Sequence, residues 1–292
     1  MKLINRTSNK QSINWFSTSQ SHDEVEAVVK NFKDLILAKG TSALDAINKQ
    51  LGLKKLKAYK VSSKEISSSD QAVSGELKSA ILAASNNIQL VCENDKINLS
   101  SSPIETTKGI TIWKEFRAID SVGLYVPGGT APLISSLLMQ IIPATVAGCS
   151  NIVVCSPPDI HGKISPEILW ICKLYNVSNI YKIGGAQSIL AMAYGTTIVP
   201  QVSKIFGPGN AYVNYAKELV SKDVAIDLPA GPSEVMIVTN DLENSSLAAA
   251  DALSQLEHGD DSKAFVISQK LNVLKKVKSE VLKQKKSLKR QT

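Results

Sequence analysis

The sequence predicts an α/β protein built around a parallel sheet. Three observations carry this. From Val122 onward, short apolar runs recur, each followed by a turn and then by residues of helical periodicity: 122–126, 151–155, 180–183 and 204–206. Strand, turn and helix repeated at this spacing wind a parallel sheet through right-handed crossovers. Three of the turns hold glycines, Gly128-Gly129, Gly184-Gly185 and Gly207/Gly209, at the C-terminal end of a strand. Finally, 292 residues with 43% hydrophobic and 20% charged side chains exclude wholesale disorder, collagen and a coiled-coil rod.

Taken in order, residues 1–20 are polar and read as an arm. Val25, Val28, Val29, Phe32, Leu35 and Ile36 recur at helical spacing over 23–38, with Ser21 as a cap and Gly40 as the stop. A second helix covers 43–51. The Lys- and Ser-rich stretch 54–69 reads as strand or loop, 76–94 as helix, and 109–119, with alternating polarity, as strands or a hairpin. Within the repeat, helices are expected through Met139 to Ala147, and over 165–175, 186–194 and 210–219. Further strands are expected at 225–228, 235–238 and 264–267, with a helix over 245–257. No apolar run approaches the roughly 18 residues of a membrane span, and the N-terminus has no secretory signal pattern. Four cysteines without CxxC spacing read as reduced thiols of a cytoplasmic protein.

The net charge of +7 is local. Residues 270–292 hold nine basic residues and one acid, Glu280, which leaves the first 269 residues at −1. The tail reads as a solvated helix with Leu271, Leu274, Val277, Val281, Leu282 and Leu288 beneath it. Charge confined to one helix without stacking aromatics argues against nucleic acid as a partner.

Helix N-termini at the C-terminal edge of a parallel sheet present free N–H groups and a positive dipole end, so the glycine turns either line a ligand crevice or simply reverse the chain. No GxGxxG or GxxxxGK[ST] is present. Gln255 and His258 are one helical turn apart, with Asp251 a turn earlier. The pair suits a zinc or manganese site, or else a helix C-cap ended by Gly259. Asp227 and Glu234 flank a Pro-Gly-Pro turn that either fixes Ser233 and Glu234 at a site or reverses the chain.

Six stretches together resemble histidinol dehydrogenase: 122–129 (VGLYVPGG), 142–149 (IPATVAGC), 183–187 (IGGAQ), 206–210 (FGPGN), 226–235 (IDLPAGPSEV) and 253–262 (LSQLEHGDDS). The resemblance implies two incomplete Rossmann-like units, one inserted in the other. Residues 125–234 would be the inserted NAD-binding unit, 25–124 plus 235–292 the unit carrying the zinc-ligand helix, and 1–24 the arm. It implies that Tyr125, Gln187 and Asn210 contact NAD, that Ser233, Gln255 and His258 contact L-histidinol, and that Gln255 and His258 ligate zinc. It further implies a cytoplasmic homodimer in histidine biosynthesis. No catalytic residue is carried over, because the family's Glu-His pair and remaining zinc ligands match nothing here; no histidine follows His258. The chain therefore reads as a front part of the enzyme, expected to be inactive alone, with a non-catalytic fragment or decayed gene product as the alternative.

Overall fold

The computed structural model describes residues 22–99, 102–128, 133–229, 234–257 and 262–288. They form two compact units, His22–Pro229 and the residues from 234 onward.

The larger unit opens with four helices, α1 (His22–Lys39), α2 (Thr41–Gln50), α3 (Ser63–Ala72) and α4 (Gly75–Asn98), and a hairpin, β1 (Ile104–Thr107) with β2 (Ile110–Ile112). Then come β3 (Ser121–Tyr125), α5 (Ile134–Ala147), β4 (Asn151–Ser156), α6 (Pro166–Leu174), β5 (Asn179–Lys182), α7 (Gly185–Tyr194), β6 (Lys204–Phe206), α8 (Ala211–Val220) and β7 (Ala225–Ile226). The five strands from β3 on form one parallel sheet, ordered β5-β4-β3-β6-β7. The chain builds outward from β3 through β4 to β5, then returns to the other side of β3. The order reverses between β3 and β6, which is the switch point where open α/β sheets bind ligands.

The period-2 geometry of a strand sends successive side chains to opposite faces, and both faces are covered. Val122, Leu124, Val154 and Ile180 join the core formed with α3, α4, α5 and α6. Tyr125, Val153, Cys155, Tyr181 and Ile205 join the opposite core, which includes α1, α2, α7 and α8. In α1 the buried positions are Val25, Val29, Phe32 and Ile36, the expected stripe, and they face α7 and α8.

Within the larger unit, residues 22–124 pack with the sheet. The helices of 22–98 bury their apolar stripes on the helices flanking the five-stranded sheet, and 121–124 are part of that sheet's central strand. Residues 22–24, assigned to the arm, begin α1; residues 1–21 lie outside the described residues. The stretch 54–69 also differs. Ser62 and Glu65 form a reciprocal capping box that starts α3. Ahead of it, Tyr59 and Val61 pair with β5: Lys182 N–H donates to Tyr59 O (2.7 Å) and Val61 N–H to Ile180 O (2.9 Å), covering that sheet edge.

The smaller unit contains β8 (Glu234–Val238), α9 (Ser245–Leu256), β9 (Lys263–Ile267) and α10 (Leu271–Lys285). β8 and β9 pair in parallel, and Ala248, Ala249, Val273 and Val277 form the core with Ile237 and Val266. In the basic helix α10, Val273 and Val277 are buried, whereas Leu271 and Leu282, expected beneath it, are 48% and 57% exposed. Among the described residues no helix is long and apolar enough to cross a membrane.

Candidate functional site

All five strands of the large sheet run parallel, so their C-terminal ends share one edge. Tyr125 closes β3 at the centre of that edge. Gln187 lies in the first turn of α7, after β5, and Asn210 caps α8, after β6. Tyr125 links the three positions. Its phenol oxygen accepts a hydrogen bond from Gly185 N–H at 3.2 Å, two residues before Gln187. Its carbonyl lies against Gly207, three residues before Asn210. A Cβ on Gly207 would sit 2.2 Å from Tyr125 O, and φ there is +131°, so only glycine fits.

The expected nucleotide contacts are thus brought to one edge, but not equally open. Tyr125 and Gln187 are 4% and 3% exposed, while Asn210 is exposed. Burial raises the Tyr125 phenol above its ordinary pKa, against the opposing pull of the Gly185 N–H, so the group stays protonated at neutral pH. The Asn210 carbonyl oxygen accepts from Val213 N–H at 3.1 Å and so caps α8.

A cavity of about 640 Å³ adjoins this edge between α5 and the end of β6, with Gln140, Phe206, Gly207, Pro208 and Asp227 in its lining. Gln140 Nε2 donates to Ser136 O at 2.8 Å and Tyr125 O at 3.3 Å. Its Oε1 is buried without a partner among the described residues. The cavity runs along α5 from Val122 and Cys149 to Gly207 and Asp227, and the orphaned Gln140 acceptor in its lining suits a ligand with a hydrogen-bond donor.

One group in this region has no counterpart in the expectations. Lys217, on α8, is fully buried and ion-paired with Asp227, and it donates to Gly207 O at 3.0 Å. Asp227 in turn accepts from Gly207 N–H at 2.8 Å. The sequence held a signal. Val213, Ala216 and Val220 mark the inward face of α8, and Lys217 falls within it. Glu234, the other carboxylate flanking the Pro-Gly-Pro turn, starts β8, where Lys263 lies 3.7 Å away.

Gln255 is half-buried in the last turn of α9. His258 and Ser233 lie outside the described residues. Among the described residues, no group of three or more His, Cys, Asp or Glu side chains could hold a metal ion. The described donor set at the expected metal position is therefore a single amide, Gln255.

The family model "Histidinol dehydrogenase" matches residues 16–292. Histidinol dehydrogenase of Bacteroides thetaiotaomicron is 43% identical over 97% of this chain and 66% of its own length. That of Escherichia coli K12 is 39% identical over 90% of this chain and 60% of its own. A crystal structure of histidinol dehydrogenase from Elizabethkingia anophelis superposes with a TM-score of 0.82 at 39% identity, covering 94% of this chain and 63% of that one. The chain spans less than two thirds of the length of each.

Proposed function

The chain belongs to the histidinol dehydrogenase family, and from that premise we propose that it serves the last steps of histidine biosynthesis, the oxidation of L-histidinol through L-histidinal to L-histidine. NAD would supply the hydride acceptor, and zinc would hold the substrate's amine and imidazole. In this reading Tyr125, Gln187 and Asn210 surround the nucleotide. Gln255 and His258 hold zinc and touch substrate, and Ser233 touches substrate. Asn210 anchors the turn from its exposed cap position, while the buried Tyr125 orders the α7 N-terminus through Gly185 N–H. The protein works in the cytoplasm as a homodimer in the same reading.

The observation that carries the nucleotide part is the meeting of the Gly185 and Gly207 turns on Tyr125 at the switch point, beside a cavity holding an orphaned acceptor. The zinc part rests on the Gln255/His258 spacing and the family. A catalytic zinc keeps about three protein ligands and an open position. The 292-residue chain supplies two such positions, so we expect it to bind NAD without turning over histidinol.

The test is calorimetric titration with NAD, followed by an NADH absorbance assay with histidinol and zinc. Asn210→Ala should weaken NAD about tenfold with the fold intact by circular dichroism, and the wild-type chain should give no NADH above background. NAD binding indifferent to Asn210→Ala would remove the nucleotide reading. Turnover that disappears in His258→Ala would show that two zinc donors suffice.

A further inference from the structure

We propose that Lys217 and Asp227 are a positioning pair: together they clamp both backbone polar groups of Gly207, the N–H of one peptide and the carbonyl of the next, and so set the β6–α8 turn in the geometry a dinucleotide requires. This rests on the nucleotide reading of that turn and adds two residues to it. Asp227 Oδ2 accepts a hydrogen bond from the Gly207 N–H at 2.8 Å, the Lys217 ammonium donates one to the Gly207 carbonyl at 3.0 Å, and the two side chains are ion-paired with each other. The two peptide units that meet at Gly207 are thereby held, one by a charged acceptor and the other by a charged donor, the stronger kind of protein hydrogen bond. Asp227 is itself fixed by the sheet, its N–H donating to Ile205 O at 3.1 Å. Lys217 is fixed by the α8 core between Ala216 and Val220.

A stability role explains this poorly. Lys217 is 0% exposed. Its partner Asp227 is 29% exposed, so the ammonium loses its hydration to a carboxylate that keeps part of its own, an exchange that attraction barely recovers, and an apolar side chain of similar volume in place of the lysine often serves the fold equally well. Gly207 needs a hold of this kind because of where it sits. Its φ of +131° is open to glycine and few other residues, and it packs against Tyr125 O. A glycine in that region, followed by Pro208 and a second glycine, has wide conformational freedom when unheld. Three residues later Asn210 caps α8. Asp227 and Gly207 both border the 640 Å³ cavity. A turn displaced by about an ångström at such a site costs binding far out of proportion to its effect on the fold.

The experiment uses the full 292-residue chain with Lys217→Met, Asp227→Asn and, as a control, Ile171→Ala. Ile171 is buried in α6, in the core on the opposite face of the sheet from Lys217. NAD affinity is read by calorimetry, and the Gly207 amide by hydrogen exchange in protein labelled with ¹⁵N-glycine. The proposal expects each pair variant to weaken NAD about tenfold or more and to lose protection at Gly207. Ile171→Ala should lower the melting temperature while leaving both readings unchanged. Asp227→Asn is nearly isosteric but breaks the ion pair with Lys217 and leaves the Gly207 N–H at most a weaker, neutral acceptor, so it carries the test should Lys217→Met fail to fold. The proposal is overturned if the pair variants bind NAD as the wild type does, if Gly207 stays protected in them, or if Ile171→Ala weakens NAD equally. Should the wild type itself not bind NAD, the cofactor reading falls separately and the exchange measurement alone decides whether the pair holds the turn.

Discussion

β3 and β8 are both five-residue parallel strands, SVGLY and EVMIV, yet the protein treats them differently. From Val122 to Tyr125 every residue of β3 is buried, whereas β8 alternates, with Glu234, Met236 and Val238 exposed and Val235 and Ile237 half-buried. The difference lies in the layers. β3 has helices on both faces and a hydrogen-bonded strand on each side. Among the described residues β8 has one neighbouring strand, and the core formed with α9 and α10 draws on Ile237 and Val266 from the sheet. Parallel strands are normally buried on both faces. Within its own unit, β8 meets that condition on one face.

The sharpest way to break this comparison is a truncation in each strand. Leu124→Ala, at 1% exposure, should cost about 2–5 kcal/mol, because it leaves a cavity between the sheet and α5. Val238→Ala, at 72% exposure, should cost no more than about 0.5 kcal/mol. Urea unfolding followed by circular dichroism measures both. Equal losses would mean that the bare face of β8 is covered in solution and that the contrast disappears.

The covered edge of the large sheet gives a smaller, pH-dependent effect. Glu65 caps α3 and pairs with Lys182 at the end of β5. Partial burial pushes its carboxyl up, but the Lys182 ammonium and the Ser62 N–H and hydroxyl outweigh this and leave it below its ordinary 4.5. A carboxyl depressed in the folded state stabilises the fold above its unfolded value, and that stability is lost as the pH falls through the folded value. With the Glu65 side chain 34% exposed, solvent screening limits the effect. Glu65→Gln should cost roughly 1 kcal/mol at pH 7, and the two proteins should converge below pH 4.5. A gap that persists at pH 3 would assign the loss to packing instead.

These elements also show what the sequence made legible. The strand–turn–helix repeat and the stripe of α1 were plain because periodicity reports burial directly. Tyr125, Gln187 and Asn210 lie at one sheet edge because parallel topology sends every strand's C-terminus there. What escaped was tertiary. Residues 54–69 look polar, and the Ser62/Glu65 box that makes 63–72 helical is anchored by Lys182, more than a hundred residues away. Asp227 read as half of a carboxylate pair with Glu234, whereas its partner is Lys217, ten residues earlier on a helix of the same unit. Tyr125, where the sequence starts the inserted unit, is the last residue of β3, which pairs with β4 and β6, and such pairings are not visible in a strand's own sequence. The tail helix was recognised as amphipathic, and Val277 of its expected inward face is buried, but Leu271 and Leu282 are exposed and Val273, which the pattern passed over, is buried.

That helix supplies the smallest expected effect. Glu280 is the one acid of the tail and is 9% exposed, with Lys276 one turn before it at 3.4 Å and Lys283 one turn after at 3.9 Å. Both lysines are largely solvated, at 54% and 79% exposure, so each pair acts across water and is worth about 0.3–0.5 kcal/mol. Lys276→Ala should therefore lower stability by that amount at low salt. The loss should shrink by more than half at about 1 M salt, where the Debye length falls to roughly 3 Å. Leu124→Ala should show no such salt dependence. A Lys276→Ala loss that exceeds about 1 kcal/mol and survives high salt would mean that Glu280 is truly desolvated. The smaller unit would then depend on a buried charge much as the β6–α8 turn depends on Lys217, and the contrast between the two regions would narrow to the number of layers on their strands.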